Sequence, residues 1–110
     1  MTMPDRGTNK QLTAEDAAAL VPDGGVLGCS GFVGAGFAEA LAVALEKRFL
    51  ETGHPKGITL IFCAGIGDGG ERGLNRLAHD GLVSRIIGGH VGLTPALGKK
   101  ILAGEIAFYN

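Results

Sequence analysis

Apolar positions in this chain change their spacing several times, and each change marks a new element. Ile58-Thr59-Leu60-Ile61-Phe62-Cys63 is almost unbroken, the pattern of a parallel strand covered on both faces. Residues 25–29 and 83–87 are shorter runs of the same kind, and residues 106–109 begin a fourth. Between the first two runs the period lengthens. Phe37, Leu41, Leu45 and Phe49 recur every four residues, while Glu39, Glu46, Lys47 and Glu51 take the wetter sides, which predicts a helix over 36–51 with its apolar stripe on the sheet. Thr13-Ala14-Glu15-Asp16 opens a shorter helix in the manner of a capping box, with Asp16 in the third position, and Pro22 stops it after residue 21. A short helix over 74–80 and another from Pro95 to about residue 103, with Thr94 as its cap, complete the pattern.

The resulting order of alternating strands and helices predicts an α/β fold: an open, mostly parallel sheet of the doubly wound kind, with right-handed crossovers and helices on both faces. Residues 1–10 are polar and read as a flexible leader, and residues 11–110 as the first part of a larger α/β domain, incomplete in this chain because no closing element follows the fourth strand. A piece of this kind, with apolar surface and a sheet edge uncovered, is expected to self-associate.

Glycine is concentrated where strands end. The chain has twenty glycines in 110 residues, far above the roughly 7% of average usage, and three dense turns hold many of them. Ser30-Gly31-Phe32-Val33-Gly34-Ala35-Gly36 follows the first strand, Ala64 to Gly73 the second, and Gly88-Gly89-His90-Val91-Gly92 the third. In a parallel sheet all three gather on the carboxyl edge, where such folds place their ligands. The first turn can expose backbone N–H groups without a Cβ to keep a ligand away. It does not fit a dinucleotide fingerprint, because its glycines are misspaced and Cys63-Ala64 stands where an acidic residue is wanted; nor does it hold the Gly-Lys-Ser/Thr of a phosphate loop. A tight strand-to-helix connection without a ligand is the plain alternative.

Charge narrows the picture further. Ten Lys and Arg against eleven Asp and Glu give a net charge of −1 without a basic block, so no nucleic-acid partner is expected. No signal-peptide pattern or membrane-length apolar run is present in the sequence, which points to no membrane partner and a cytoplasmic location. Cys29 and Cys63 lie inside apolar runs and read as two reduced core thiols. His54, His79 and His90 fall in separate settings and make no metal set.

From Asp23-Gly24 through Gly31-Phe32 to Gly36, the sequence resembles the first signature of the family I coenzyme A transferases. That signature runs Asp-Gly, two variable residues, three apolar residues, Gly-Gly-Phe, three variable residues, Gly, one variable residue, Pro. The chain departs from it at Gly28, Ser30 and Ala38. The stretches 51–57, 67–75 and 79–90 are similar to the amino-terminal half of the acetate or propionate CoA-transferases, also called acyl-CoA:acetate or 3-oxoacid transferases, and the likeness covers about residues 11–110.

The resemblance implies transfer of CoA from a short-chain acyl-CoA to a small carboxylate such as acetate. A glutamate attacks the thioester, giving an anhydride and then a glutamyl-CoA thioester. In the family that glutamate belongs to the carboxyl-terminal half, so this chain holds none in a matching motif and is expected to be inactive alone. The resemblance implies an oxyanion-stabilising turn at Gly31, Phe32, Val33 and Gly34. Ser30, Gly36, Gly67, Asp68 and His90 are candidate contacts to CoA or substrate, with a hydrogen-bonded structural role as the equal alternative for His90. CoA enters as substrate, with no tightly bound cofactor and no metal. The implied partners are the acyl-CoA, the small carboxylate, the enzyme's carboxyl-terminal half and further copies in a homo-oligomer. Two other readings stay open: a noncatalytic fragment or partner-binding subunit, and an unrelated sugar-phosphate isomerase or hydrolase on a similar sheet. On the second loop, Asp68, Glu71 and Arg72 are either substrate-orienting or simply solvated. Asn75 reads as a helix cap, and Lys99 and Lys100 as solvated charges near a helix end.

Overall fold

Four apolar runs form the strands β1 (Val26–Gly28), β2 (Ile58–Phe62), β3 (Val83–Gly88) and β4 (Ala107–Tyr109). The computed structural model describes residues 11–110, so the expected leader at residues 1–10 lies outside the described residues. All strand pairs are parallel and the order across the sheet is β1-β2-β3-β4. Helices α1 (Ala14–Ala18), α2 (Glu39–Thr52) and α3 (Pro95–Leu102), with a 3-10 helix at Leu74–Leu77, precede or connect them. The α/β class and the parallel sheet flanked by helices are as expected; among the described residues the strand order does not reverse, so the doubly wound arrangement with helices on both faces is not seen there.

Register fixes which side chains meet the helices. Leu27, Leu60, Ile86 and Phe108 lie in one row across the sheet, and this row belongs to the core with Ala18, Leu45, Leu77 and Leu97 of the helices. Leu60 and Ile86 are fully buried, each contributing roughly 1.5–3 kcal/mol of transfer free energy. The next row, Gly28, Ile61, Ile87 and Tyr109, faces the other way, and Ile61, Ile87 and Tyr109 are 41%, 40% and 56% exposed. Because the strand order never reverses, right-handed crossovers lay successive connections on one side. Among the described residues the second face is therefore open.

Local chemistry explains the element ends. Thr13 Oγ1 accepts from the Asp16 N–H at 3.1 Å and caps α1, as its sequence indicates, although the helix ends at Ala18, before residue 21. Helix α2 starts at Glu39 rather than at 36, because Gly36 holds φ +72° and the chain is still turning. It ends where Gly53, at φ +76°, donates to Phe49 O, a left-handed stop suited to glycine. Leu41 of the expected stripe is 44% exposed, and Ala42 and Ala44 are buried with Leu45 instead.

The helix expected over 74–80 is a single 3-10 turn whose i and i+3 residues, Leu74 and Leu77, both enter the core. Thr94 does begin α3 ahead of Pro95, but its hydroxyl donates back to Val91 O at 3.2 Å and caps nothing. Cys63 corrects the expectation of two core thiols. It follows the inward-facing Phe62, so strand alternation turns it to the open face, and it is exposed while Cys29 is partly buried; both are free.

Candidate functional site at the carboxyl edge of the sheet

The three glycine-rich turns do meet, and main-chain hydrogen bonds hold them. Phe32 and Ala35 exchange N–H···O bonds of 2.9 Å in both directions, so Val33-Gly34 forms the tip of a miniature hairpin. At its base the Ser30 hydroxyl donates to Gly36 O at 3.2 Å. Val33 N–H donates to Gly65 O at 2.8 Å, and Val33 O accepts from Gly67 N–H at 2.9 Å. The second turn is fastened to the third by Gly69 N–H on Leu93 O at 2.9 Å and by the Asn75 side chain, whose Nδ2 donates to Leu93 O at 3.1 Å and Arg72 O at 2.9 Å.

Glycine is required at two points of this lattice. A Cβ on Gly67 would lie 2.4 Å from Leu93 O, and one on Gly89 would lie 2.1 Å from Cys63 O. Val33 is the reverse case: a β-branched residue at φ +60°, a conformation that costs on the order of 1–3 kcal/mol and persists where its surroundings over-determine it. Here both of its backbone polar groups are clamped by the second turn.

These bonds sort the four residues of the expected oxyanion turn. The N–H groups of Phe32 and Val33 are occupied by Ala35 O and Gly65 O, whereas those of Gly31 and Gly34 have no hydrogen-bond acceptor among the described residues. Phe32 is 60% exposed.

The other expected site residues also fall at this edge, with uneven freedom. Asp68 is exposed, and its Oδ1 accepts from Gly70 N–H at 2.9 Å and Arg72 N–H at 3.1 Å. The Arg72 and Gly70 amides hold its carboxyl below the usual carboxylate range. It staples its own loop. His90 lies against Gly65: a Cβ there would meet the ring's Cε1 at 2.5 Å and Nε2 at 3.0 Å. Gly92 N–H donates to His90 Nδ1 at 3.2 Å, which makes Nδ1 the acceptor and leaves the proton of the neutral ring on Nε2.

Four residues play parts the sequence reading did not give them. Asn75 is not a cap but a buried tie between two turns, and its Oδ1 is buried without a partner among the described residues. Glu39, read as a wet-side residue, accepts from Gly73 N–H at 3.2 Å and from Arg76 Nε, while Glu46 accepts from His79 Nε2 and Arg76. The network anchors the second turn to α2 and raises the Arg76 pKa, chiefly through the hydrogen bond to Glu39. Lys100 pairs with Asp80 and lies 3.6 Å from Glu105 rather than standing free. No local spacing signals the Glu39 and Glu46 pairs, whose partners lie 30 to 37 positions along the chain.

Asp23, the first residue of the resembling signature, lies at the opposite edge. It accepts from Lys56 N–H at 3.0 Å and pairs with His54 at 3.1 Å, joining the entries of β1 and β2. Among the described residues no group of three or more His, Cys, Asp or Glu could hold a metal ion. No helix there is long and apolar enough to cross a membrane.

Known proteins share this chain's sequence pattern and fold. The chain is 39% identical over 98 residues to the caffeate CoA-transferase of Acetobacterium woodii, covering 89% of this chain and 19% of that protein. It is 34% identical over 101 residues to the acetate CoA-transferase YdiF of Escherichia coli K12, covering 90% and 19%. The crystal structure of the acyl-CoA transferase YdiF of E. coli O157:H7, in a thioester complex with CoA, superposes with a TM-score of 0.81 at 30% identity, over 90% of this chain and 20% of that one. The chain thus spans about a fifth of the length of these relatives. The family profile for coenzyme A transferase matches residues 11–110, and the chain belongs to that family.

Proposed function

We propose that this chain contributes the amino-terminal part of an enzyme that moves CoA from a short-chain acyl-CoA to a small carboxylate such as acetate. The observation that carries the reading is the pair of unengaged N–H groups at Gly31 and Gly34, on a turn clamped by its neighbours and belonging to a CoA-transferase family chain. Related proteins of that family are named for acetate and caffeate transfer, and one is captured as a thioester with CoA.

In this reading the acyl carbonyl lies over the turn, and negative charge develops on its oxygen when a glutamate of the remaining polypeptide attacks the thioester carbon. Donors fixed in advance help most at that moment, and one such donor is typically worth about 2.7–4 kcal/mol of barrier. The clamp on Val33 keeps Gly31 and Gly34 from following the substrate. CoA thiolate departs, then attacks the glutamyl carbonyl of the acyl-glutamyl anhydride and expels the donor's carboxylate, leaving glutamyl-CoA; the incoming carboxylate attacks that thioester and runs the same steps in reverse, giving the new acyl-CoA and free glutamate. In the same reading His90 Nε2–H donates to a substrate oxygen, while Ser30, Gly36, Gly67 and Asp68 shape and hold the turns beside it.

The test is exchange of CoA between acetyl- or propionyl-CoA and a labelled carboxylate by the full-length protein. Transfer accompanied by a CoA adduct on one glutamate is expected. Absence of transfer across a panel of short acids would sink the proposal. Residues 1–110 alone should give no transfer.

A further inference from the structure

A cavity of about 250 Å³ opens between α1, α2 and the end of β1, on the helix-covered side of the sheet. Its walls are Leu27, Phe37, Leu41 and Leu45, with Leu77 at the core end, and its rim includes Ser30 and Gly36, the two ends of the hydrogen-bonded turn. Small side chains make the room: Ala18 and Ala42, both buried, line it where larger residues would close α1 onto α2. The exposed Leu41 of α2 belongs to this wall, which accounts for its departure from the core stripe.

No lining side chain carries a charge. The one titratable group is the Cys29 thiol, whose pKa burial pushes up to about 11, so it is neutral at ordinary pH. Carboxylate and phosphate groups therefore find no counter-charge there, whereas a hydrocarbon group finds apolar walls. For scale, a dry apolar cavity of about 150 Å³ takes up benzene.

We propose that this cavity receives the hydrocarbon end of the acyl group, with the acyl carbonyl at the adjoining turn, and that it admits chains of about four to six carbons or a single aromatic ring. The proposal rests on the transferase reading above and specifies its substrate class. Shared residues carry it: Ser30 and Gly36 belong both to the cavity rim and to the base of the turn that presents Gly31 and Gly34.

Two measurements on the full-length protein test it. First, Ala42→Leu fills the cavity, and the ratio of kcat/KM for hexanoyl-CoA over acetyl-CoA is expected to fall about tenfold or more, since a misfitted methylene in an apolar pocket is worth 10-fold and upward. A ratio within twofold of the parent in a folded variant overturns the proposal. Second, modification of Cys29 by dithiodipyridine at pH 9, located by peptide mass, is expected to slow at least fivefold in saturating hexanoate and not in acetate. Equal rates with and without hexanoate overturn it, as does a Cys29 inert under all conditions, which would mean that other chain fills the space. If Ala42→Leu does not fold, Cys29 protection decides alone. Failure of the unmodified protein to transfer CoA from either thioester defeats the transferase reading, and Cys29 protection then still decides whether the cavity binds hydrocarbon.

Discussion

The main-chain N–H of Val33 donates to the carbonyl of Gly65 across 2.8 Å, tying the tip of the first glycine turn to the root of the second. With the reciprocal bond from Gly67, this fixes a valine at φ +60°, so the strain of one turn is carried by contacts of another. Rigidity at the tip is what a charge-stabilising turn needs, since donors that relax around a ligand give back part of their effect.

Substitution at the root and at the tip should therefore differ. Gly67→Ala puts a methyl group 2.4 Å from Leu93 O and is expected to destabilise the protein by about 1–3 kcal/mol, the usual cost of forced overpacking. Gly34→Ala meets nothing within 4 Å, and Gly34 is not among the positive-φ residues, so its stability should stay within about 0.5 kcal/mol of the parent. Urea denaturation midpoints compare the two. Equal losses would show that the clamp does not set the stability of this edge.

Asn75 offers a second way to loosen the edge. Its Nδ2 serves two carbonyls, those of Arg72 and Leu93, and the residue is only 7% exposed. Asn75→Ala leaves the Arg72 carbonyl without its donor and Leu93 O with the Gly69 N–H alone, and should cost about 1–3 kcal/mol. Asn75→Asp should cost more than the alanine, because it turns an acceptor, and a buried negative charge, toward those same carbonyls. Faster amide exchange at Gly69, whose N–H also meets Leu93 O, is expected in both. Unchanged exchange at Gly69 would separate Asn75 from the loop lattice.

The strands and the gathering of glycine turns were legible because each rests on local pattern: apolar runs for β2 and β3, and glycine after each strand. The identity of the free donors was not. Phe32 and Val33 lose theirs to Ala35 and to Gly65, and the second of these bonds joins residues 32 positions apart, which no local spacing encodes. The two thiols show the same limit from another side. Cys29 and Cys63 have like apolar neighbours in sequence, yet one extra step beyond Phe62 turns Cys63 out of the core. Glu39 looked solvated because its partners, Gly73 and Arg76, come from a loop whose path the helix pattern does not reveal.

The thiols yield a direct chemical contrast. Cys63 is exposed, whereas Cys29 is partly buried with its pKa pushed up to about 11 by burial. Since thiolate is the reacting form, iodoacetamide at pH 8 should label Cys63 well before Cys29, by tenfold or more in rate. Peptide mass mapping over time checks the order. Faster labelling of Cys29 would contradict both its burial and its shifted ionisation.

Acid should weaken the fold through particular carboxylates. The His54 hydrogen bond, aided by the Lys56 N–H, holds the Asp23 pKa below its ordinary 3.8; the Arg72 and Gly70 amides do so for Asp68, and the Lys100 hydrogen bond for Asp80. A carboxyl whose pKa is lower folded than unfolded binds its proton less readily in the folded state. Its contribution is complete above the unfolded value, about pH 4, and is lost as pH falls through the lower folded value. Stability measured by urea titration should therefore be level in these carboxylates' contribution from pH 7 down to about 5 and decline below about 4. Asp23→Asn should be less stable than the parent at pH 7, yet the two curves should converge as the pH approaches 2, because protonation then removes from the parent what the substitution has removed already. Parallel curves over the whole range would mean that the Asp23 charge, and with it the tie from Asp23 to His54 and Lys56, does not contribute to stability.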